Sequence, residues 1–226
     1  MSYRVPWSYH LVMVSTVKPR YRGWLHVWGA LAVVPMAVVL LVVAGGGLAR
    51  FGVTIYVLGL GAMFGVSALY HRGRWRPAVK SVFQRLDHST IFLAIAGTYT
   101  PLALLGLRGG MRVAVLAVVW IGAAVGIALQ WLPMKQSRVA SAVVYAMVGW
   151  AAVIALPQLV RGLGWLPFAF VVAGGLAYTA GSVVYATKRP DPQPLVFGFH
   201  EVFHSCTLVA AAAHFTAILL VVVQKA

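Results

Sequence analysis

The stretch VAVLAVVWIGAAVGIALQWLPM, residues 113–134, contains no Asp, Glu, Lys or Arg. As a helix rising 1.5 Å per residue it is about 33 Å long, enough to cross a hydrocarbon core of ~30 Å. Working outward, six more apolar runs of spanning length occupy 23–49, 51–71, 88–107, 139–160, 162–187 and 192–224. Only the last carries a charge before its end, Glu201. Irregular backbone cannot face lipid, because its N–H and C=O groups would go unpaired there. The expected fold is therefore an all-α membrane protein, a seven-transmembrane helix bundle.

Composition leads to the same class. The 226-residue chain is 62% hydrophobic and 9% charged, with a mean hydropathy of +0.89. Soluble domains run near half apolar and a quarter charged, so a water-soluble fold could not hide this surface. Residues 1–22 read as an interfacial arm bearing Arg4, Lys18, Arg20 and Arg22 with Tyr3, Trp7 and Tyr9. The apolar run that follows is too long for the h-region of a signal peptide. Residues 23–226 form the seven-helix domain. Trp24, Trp28 and Trp165 lie near span ends, as interfacial aromatics do. Pro101, Pro157 and Pro167 are expected to kink or end helices. Glycines at 45–47, 174, 175 and 181 permit close helix packing.

The net charge of +15 raises the question of nucleic acid. The cations lie in short gaps between apolar runs, not in a basic stripe interleaved with aromatics, so no nucleic-acid partner is expected. They instead orient the chain. One side receives the arm, Arg72, Arg74, Arg76, Lys80 and Arg85, then Lys135, Arg138, Lys188 and Arg189. The other receives only Arg50, Arg108, Arg112, Arg161 and Lys225. The positive-inside rule then places the N-terminus in the cytoplasm and the C-terminus outside. Membrane lipids are the expected partners, and the oligomeric state is left open. Cys206 is the single cysteine, so no intrachain disulfide can form.

Topology gathers the polar residues. His71 ends the second run, Asp87 starts the third, and His200, Glu201 and His204 start the seventh. All five fall on the cytoplasmic side. Ionisable groups inside spans are costly and usually face the bundle interior with a partner. His200 and His204, four residues apart, stack on one helix face within reach of one metal ion. His71 can supply a third imidazole. Three nitrogens and an open position are the donor set of an accessible Zn2+ site rather than a closed structural one. Asp87 is placed to orient a ligand histidine or hold the water that completes the coordination. Ser67, one turn before His71, is within reach of that water or of a ligand. Residues 200–204, His-Glu-Val-Phe-His, also match H-E-x-x-H. Glu201 thus has two readings, a general base or a carboxylate favoured by the helix N-terminus. His214 is expected to bond across the bundle, His88 to lie at the interface, and His10 and His26 to belong to the arm and its junction.

Four segments carry a family resemblance. They are Lys-Pro-x-x-Arg-Gly-x-x-His at 18–26; Ser-Ala-Leu-Tyr-His at 67–71; Leu-Asp-His-Ser-x-Ile-Phe at 86–92 with Ala-Gly-Thr-Tyr-Thr-Pro at 96–101; and Lys-Arg-Pro-x-Pro at 188–192 with Gly-Phe-His-Glu-Val-Phe-His at 198–204. In these the chain resembles the hemolysin III family, the bacterial branch of the progestin and adipoQ receptor superfamily. The resemblance implies seven helices, a cytoplasmic N-terminus, the bacterial inner membrane, and zinc held by His71, His200 and His204 with Asp87 and Ser67 beside it. The superfamily is similar to the alkaline ceramidases, which implies hydrolysis of a lipid amide as one activity. The family's name implies the alternative, a non-enzymatic membrane-perturbing (haemolytic), homeostatic or sensor protein with structural zinc. An intramembrane protease using Glu201 is a third reading of the same residues.

Overall fold

The computed structural model describes residues 18–133 and 137–225. The rest of the expected arm and Lys135 lie outside the described residues. Seven helical segments there are long and apolar enough to cross a membrane. They are α1 (Trp24–Val43), α2 (Gly47–Arg72), α3 (Pro77–Gly106), α4 (Gly109–Trp131), a composite fifth span, α7 (Trp165–Thr187) and α8 (Phe199–Lys225). The fifth span joins α5 (Arg138–Gly149) to α6 (Leu156–Leu163) through a 3-10 segment, Ala151–Ala155. The chain is therefore a multi-pass integral membrane protein, as expected.

Helix α3 is the centre of the bundle. Two-thirds (67%) of its apolar window is buried, against 11% for α7, whose flank faces outward. Its partner on one side is α2. A Cβ on Gly59 of α2 would stand 2.7 Å from the Leu93 carbonyl oxygen, and one on Gly97 of α3 would stand 3.0 Å from that of Ile55. Two backbones can approach this closely only where the side chain is a hydrogen. This contact sets α2 against α3 in the register that brings Ser67 beside Asp87. Helix α8 packs against α7 and closes the bundle onto α1 and α3.

The helix boundaries correct the sequence reading, most of all at α3 and α8. Helix α3 starts at Pro77, so Asp87 lies nearly three turns inside a helix instead of at its start. Charges at Lys80 and Arg85 had marked a loop; the helix carries Lys80 on an exposed flank. The seventh helix begins at Phe199, not at 192, because three prolines at 190, 192 and 194 remove donors and hold the chain in a turn. Pro101 does not end its helix, which runs on to Gly106. Pro157 opens α6, just after the 3-10 segment, and Pro167 lies in the first turn of α7. Both take the early positions that proline tolerates.

Candidate metal centre

The start of α8 is built by its own side chains. The Asp191 carboxylate accepts from the Phe199 N–H at 2.8 Å, and Glu201 Oε2 accepts from the Gly198 N–H at 2.9 Å. Glu201 stands three residues after Gly198 and reaches back to it, as in a capping box. Its other oxygen, Oε1, lies 2.9 Å from Arg22 Nε. The Arg22 N–H does not point along that line, so the contact is an ion pair without a directed hydrogen bond. Glu201 is 1% exposed and Arg22 20%. Burial lowers the pKa of Arg22 and the Glu201 charge works against that fall.

The capped helix presents His200 and His204 to α2. The rings of His71, His200 and His204 converge, with ligand nitrogens all within 4.8 Å of one another. His71 Nε2 and His200 Nε2 are 3.2 Å apart. Metal–nitrogen bonds of ~2.05 Å in a tetrahedron separate their nitrogens by about 3.3 Å, so this pair already has the spacing of two ligands on one ion. The donor set is all imidazole, which suits zinc, copper, iron or nickel. These residues fit a metal ion.

Asp87 arrives from α3, with Oδ2 3.9 Å from His71 Nε2. The Ser67 hydroxyl is hydrogen-bonded to the Asp87 carboxylate, so the serine serves the aspartate directly. Glu201 does not join the cluster: its oxygens are engaged by Gly198 and Arg22.

His26 lies in the first turn of α1, at the junction the sequence indicates, and its ring turns into the bundle. It is 4% exposed, and its ring stacks on His204 with centroids 3.7 Å apart and planes 6° from parallel. Sequence reasoning missed Arg22 and Asp191 as well. Arg22 is a specified position of the motif at 18–26, whereas Asp191 fills the open position of the motif at 188–192 and could be found only as one of the chain's three acidic residues.

Residues 18–23 cross the cluster as a strap. The Arg20 and Tyr21 N–H groups donate to the Leu195 and Val196 carbonyls at 3.0 and 3.2 Å. Lys18 Nζ donates to the His71 carbonyl at 3.5 Å. Burial, reinforced by Lys80, Arg22 and Arg72, lowers the Lys18 pKa. Gly23 turns the strap into α1 at φ +82°, and a Cβ there would stand 2.7 Å from His71 Cβ. Only glycine satisfies both conditions.

A cavity of about 120 Å³ opens from the cluster into the bundle. His26, Ser67, Asp87, His200 and His204 line one end, and Trp150, Tyr178 and His214 lie deeper. A second, of about 70 Å³, shares Trp150 and His214 with the first and continues between Leu107, Val115, Leu159 and Val171. His88 lines the first cavity, and its side chain is hydrogen-bonded to Gln130. His214 bonds across the bundle as expected, Nε2 donating to the Val171 carbonyl at 3.1 Å.

Comparison with known proteins identifies the family. The family model described as "Haemolysin-III related" matches residues 14–215. The chain is 31% identical over 204 residues to "Hemolysin-3" of Bacillus cereus, covering 89% of this chain and 90% of that protein. It is 27% identical over 168 residues to the human "Monocyte to macrophage differentiation factor", covering 73% and 67%. It is 29% identical over 190 residues to the "Heptahelical transmembrane protein ADIPOR2" of rice, Oryza sativa subsp. japonica, covering 77% and 83%. With nearly its whole length matched, this seven-span chain with a three-histidine cluster belongs to the haemolysin-III-related family.

Proposed function

We propose that the chain is a zinc-dependent hydrolase of an amide-linked membrane lipid, working near the cytoplasmic face of a bacterial plasma membrane. The observation that carries this reading is the convergence of three imidazoles and the Asp87–Ser67 pair at the polar end of a cavity that becomes apolar inward. His71, His200 and His204 would hold the ion. Zinc, when bound, polarises a carbonyl and lowers the pKa of water toward ~7.

The remaining work falls to the chain. The apolar inner cavity takes the acyl chain and keeps the amide at the histidine end. Asp87 Oδ2 accepts a proton from the attacking water as oxygen bonds to the carbonyl carbon. The same carboxyl returns the proton to the leaving nitrogen as the C–N bond breaks, giving a carboxylic acid and an amine. Ser67 holds the Asp87 carboxylate in position. We assign Glu201 to capping α8 and pairing with Arg22, in preference to general-base chemistry.

A second reading, a membrane-perturbing or sensor protein with a structural metal, draws support from the strap that covers the cluster. Purified protein in nanodiscs with ceramide separates the two. Fatty-acid release that is lost in Asp87→Asn, with the metal retained, supports the hydrolase. No release from metal-loaded wild-type protein overturns it.

A further inference from the structure

His26 carries an inference beyond the three-histidine centre. Neither of its ring nitrogens meets a hydrogen-bond partner among the described residues, although both are buried. An imidazole offers at least one N–H donor, and its neutral form adds a bare acceptor. Buried polar atoms are nearly always paired, and leaving them unpaired costs the desolvation of each. A phenylalanine would fill the same space between Phe64 and His204 without that cost.

A fourth metal ligand is not the explanation. Imidazole lone pairs lie in the ring plane, and metal–nitrogen bonds are ~2.0–2.1 Å. The His26 plane is nearly parallel to that of His204 and offset by the stacking distance of up to 3.7 Å. An ion in the plane of His204 therefore stands too far out of the plane of His26 to be bound by both. His26 also lines the cavity, as do Met63, Thr207 and His204.

We infer that His26 is a ligand-orienting residue. Its ring rests on His204, and a ring nitrogen hydrogen-bonds the amide or hydroxyl group of a lipid whose chain occupies the cavity. This rests on the lipid-amide reading above and adds a residue to it. The His26 contact fixes the polar group beside the metal centre without itself holding the metal. It selects lipids with a hydrogen-bonding group next to the scissile bond over those with chains alone.

The test compares full-length wild type, His26→Phe and His26→Gln in phosphatidylcholine nanodiscs, with a fluorescent short-chain ceramide as probe. Metal content, probe affinity and probe cleavage are read separately. Phe keeps the stacked ring and removes the nitrogens; Gln restores a donor and an acceptor. The expected result is metal content unchanged in His26→Phe, probe affinity lower by roughly tenfold or more, and partial recovery in His26→Gln. Equal affinity of wild type and His26→Phe overturns the assignment. So does loss of metal together with affinity, which would make His26 a packing support for His204. Binding without cleavage by the wild type overturns hydrolysis alone and leaves the His26 comparison intact. No binding by the wild type overturns both.

Discussion

Glu201→Gln tests how the mouth of the site is built. The substitution keeps an oxygen for the Gly198 N–H and removes the charge facing Arg22. At 2.9 Å the Coulomb attraction is about 6 kcal/mol for an effective dielectric of 20. Desolvating both groups offsets part of this, but that cost is already met when one partner is deleted. Removing one member of a buried pair typically costs ~3–5 kcal/mol. Arg22 keeps some water contact, so about 3 kcal/mol is expected. For a chain of this size each kcal/mol shifts Tm by roughly 2–4 °C, giving a drop of about 6–12 °C. Far-UV circular dichroism in detergent would measure it. The double variant Arg22→Met with Glu201→Gln leaves no charge unpaired and should recover most of the loss. A Glu201→Gln protein that melts within about 2 °C of wild type, or a double variant with additive losses, would refute the reasoning. If such a protein also lost hydrolysis, Glu201 would return as a catalytic candidate.

Four further outcomes are expected. Replacing His71, His200 or His204 singly by Ala should lower bound zinc from one equivalent to a small fraction, read by plasma mass spectrometry on purified protein. Ser67→Ala should retain metal and reduce turnover by roughly tenfold, since it frees the Asp87 carboxylate from one hydrogen bond worth ~1 kcal/mol or more; a change in metal content instead would move Ser67 into the ligand set. Gly59→Ala should destabilise the α2–α3 contact by roughly 1–3 kcal/mol, because its Cβ meets the Leu93 carbonyl at 2.7 Å, a backbone atom that cannot rotate away. A reporter fused to the N-terminus should be active only in the cytoplasm; activity outside the cell would overturn the orientation.

The sequence by itself determined the class and the number of spans. Apolar runs of bilayer length, interrupted by short basic gaps, leave helices as the only backbone that satisfies itself in lipid. The i, i+4 spacing of His200 and His204, and the shared depth that topology gives to His71 and Asp87, made the histidine cluster legible too. The helix starts were less so. Charge marks where a span leaves the hydrocarbon, not where hydrogen bonding ends, so α3 starts at Pro77, eleven residues before the expected edge at 88.

Which face of each helix turns inward was decided only by the tertiary structure. A helix in lipid is apolar all round, so it has no hydrophobic stripe to orient it. In α1, Trp28, Leu31 and Val38 face outward and His26, Gly29 and Val33 face inward. Nothing in their local hydropathy separates the apolar residues of the two sets. His26 therefore read as a junction residue until packing placed it on His204. Glu201 read two ways until Arg22 and Gly198 engaged its oxygens. Spans follow from local transfer energy, residue by residue; partners follow from which helices meet, and that is a property of the whole bundle.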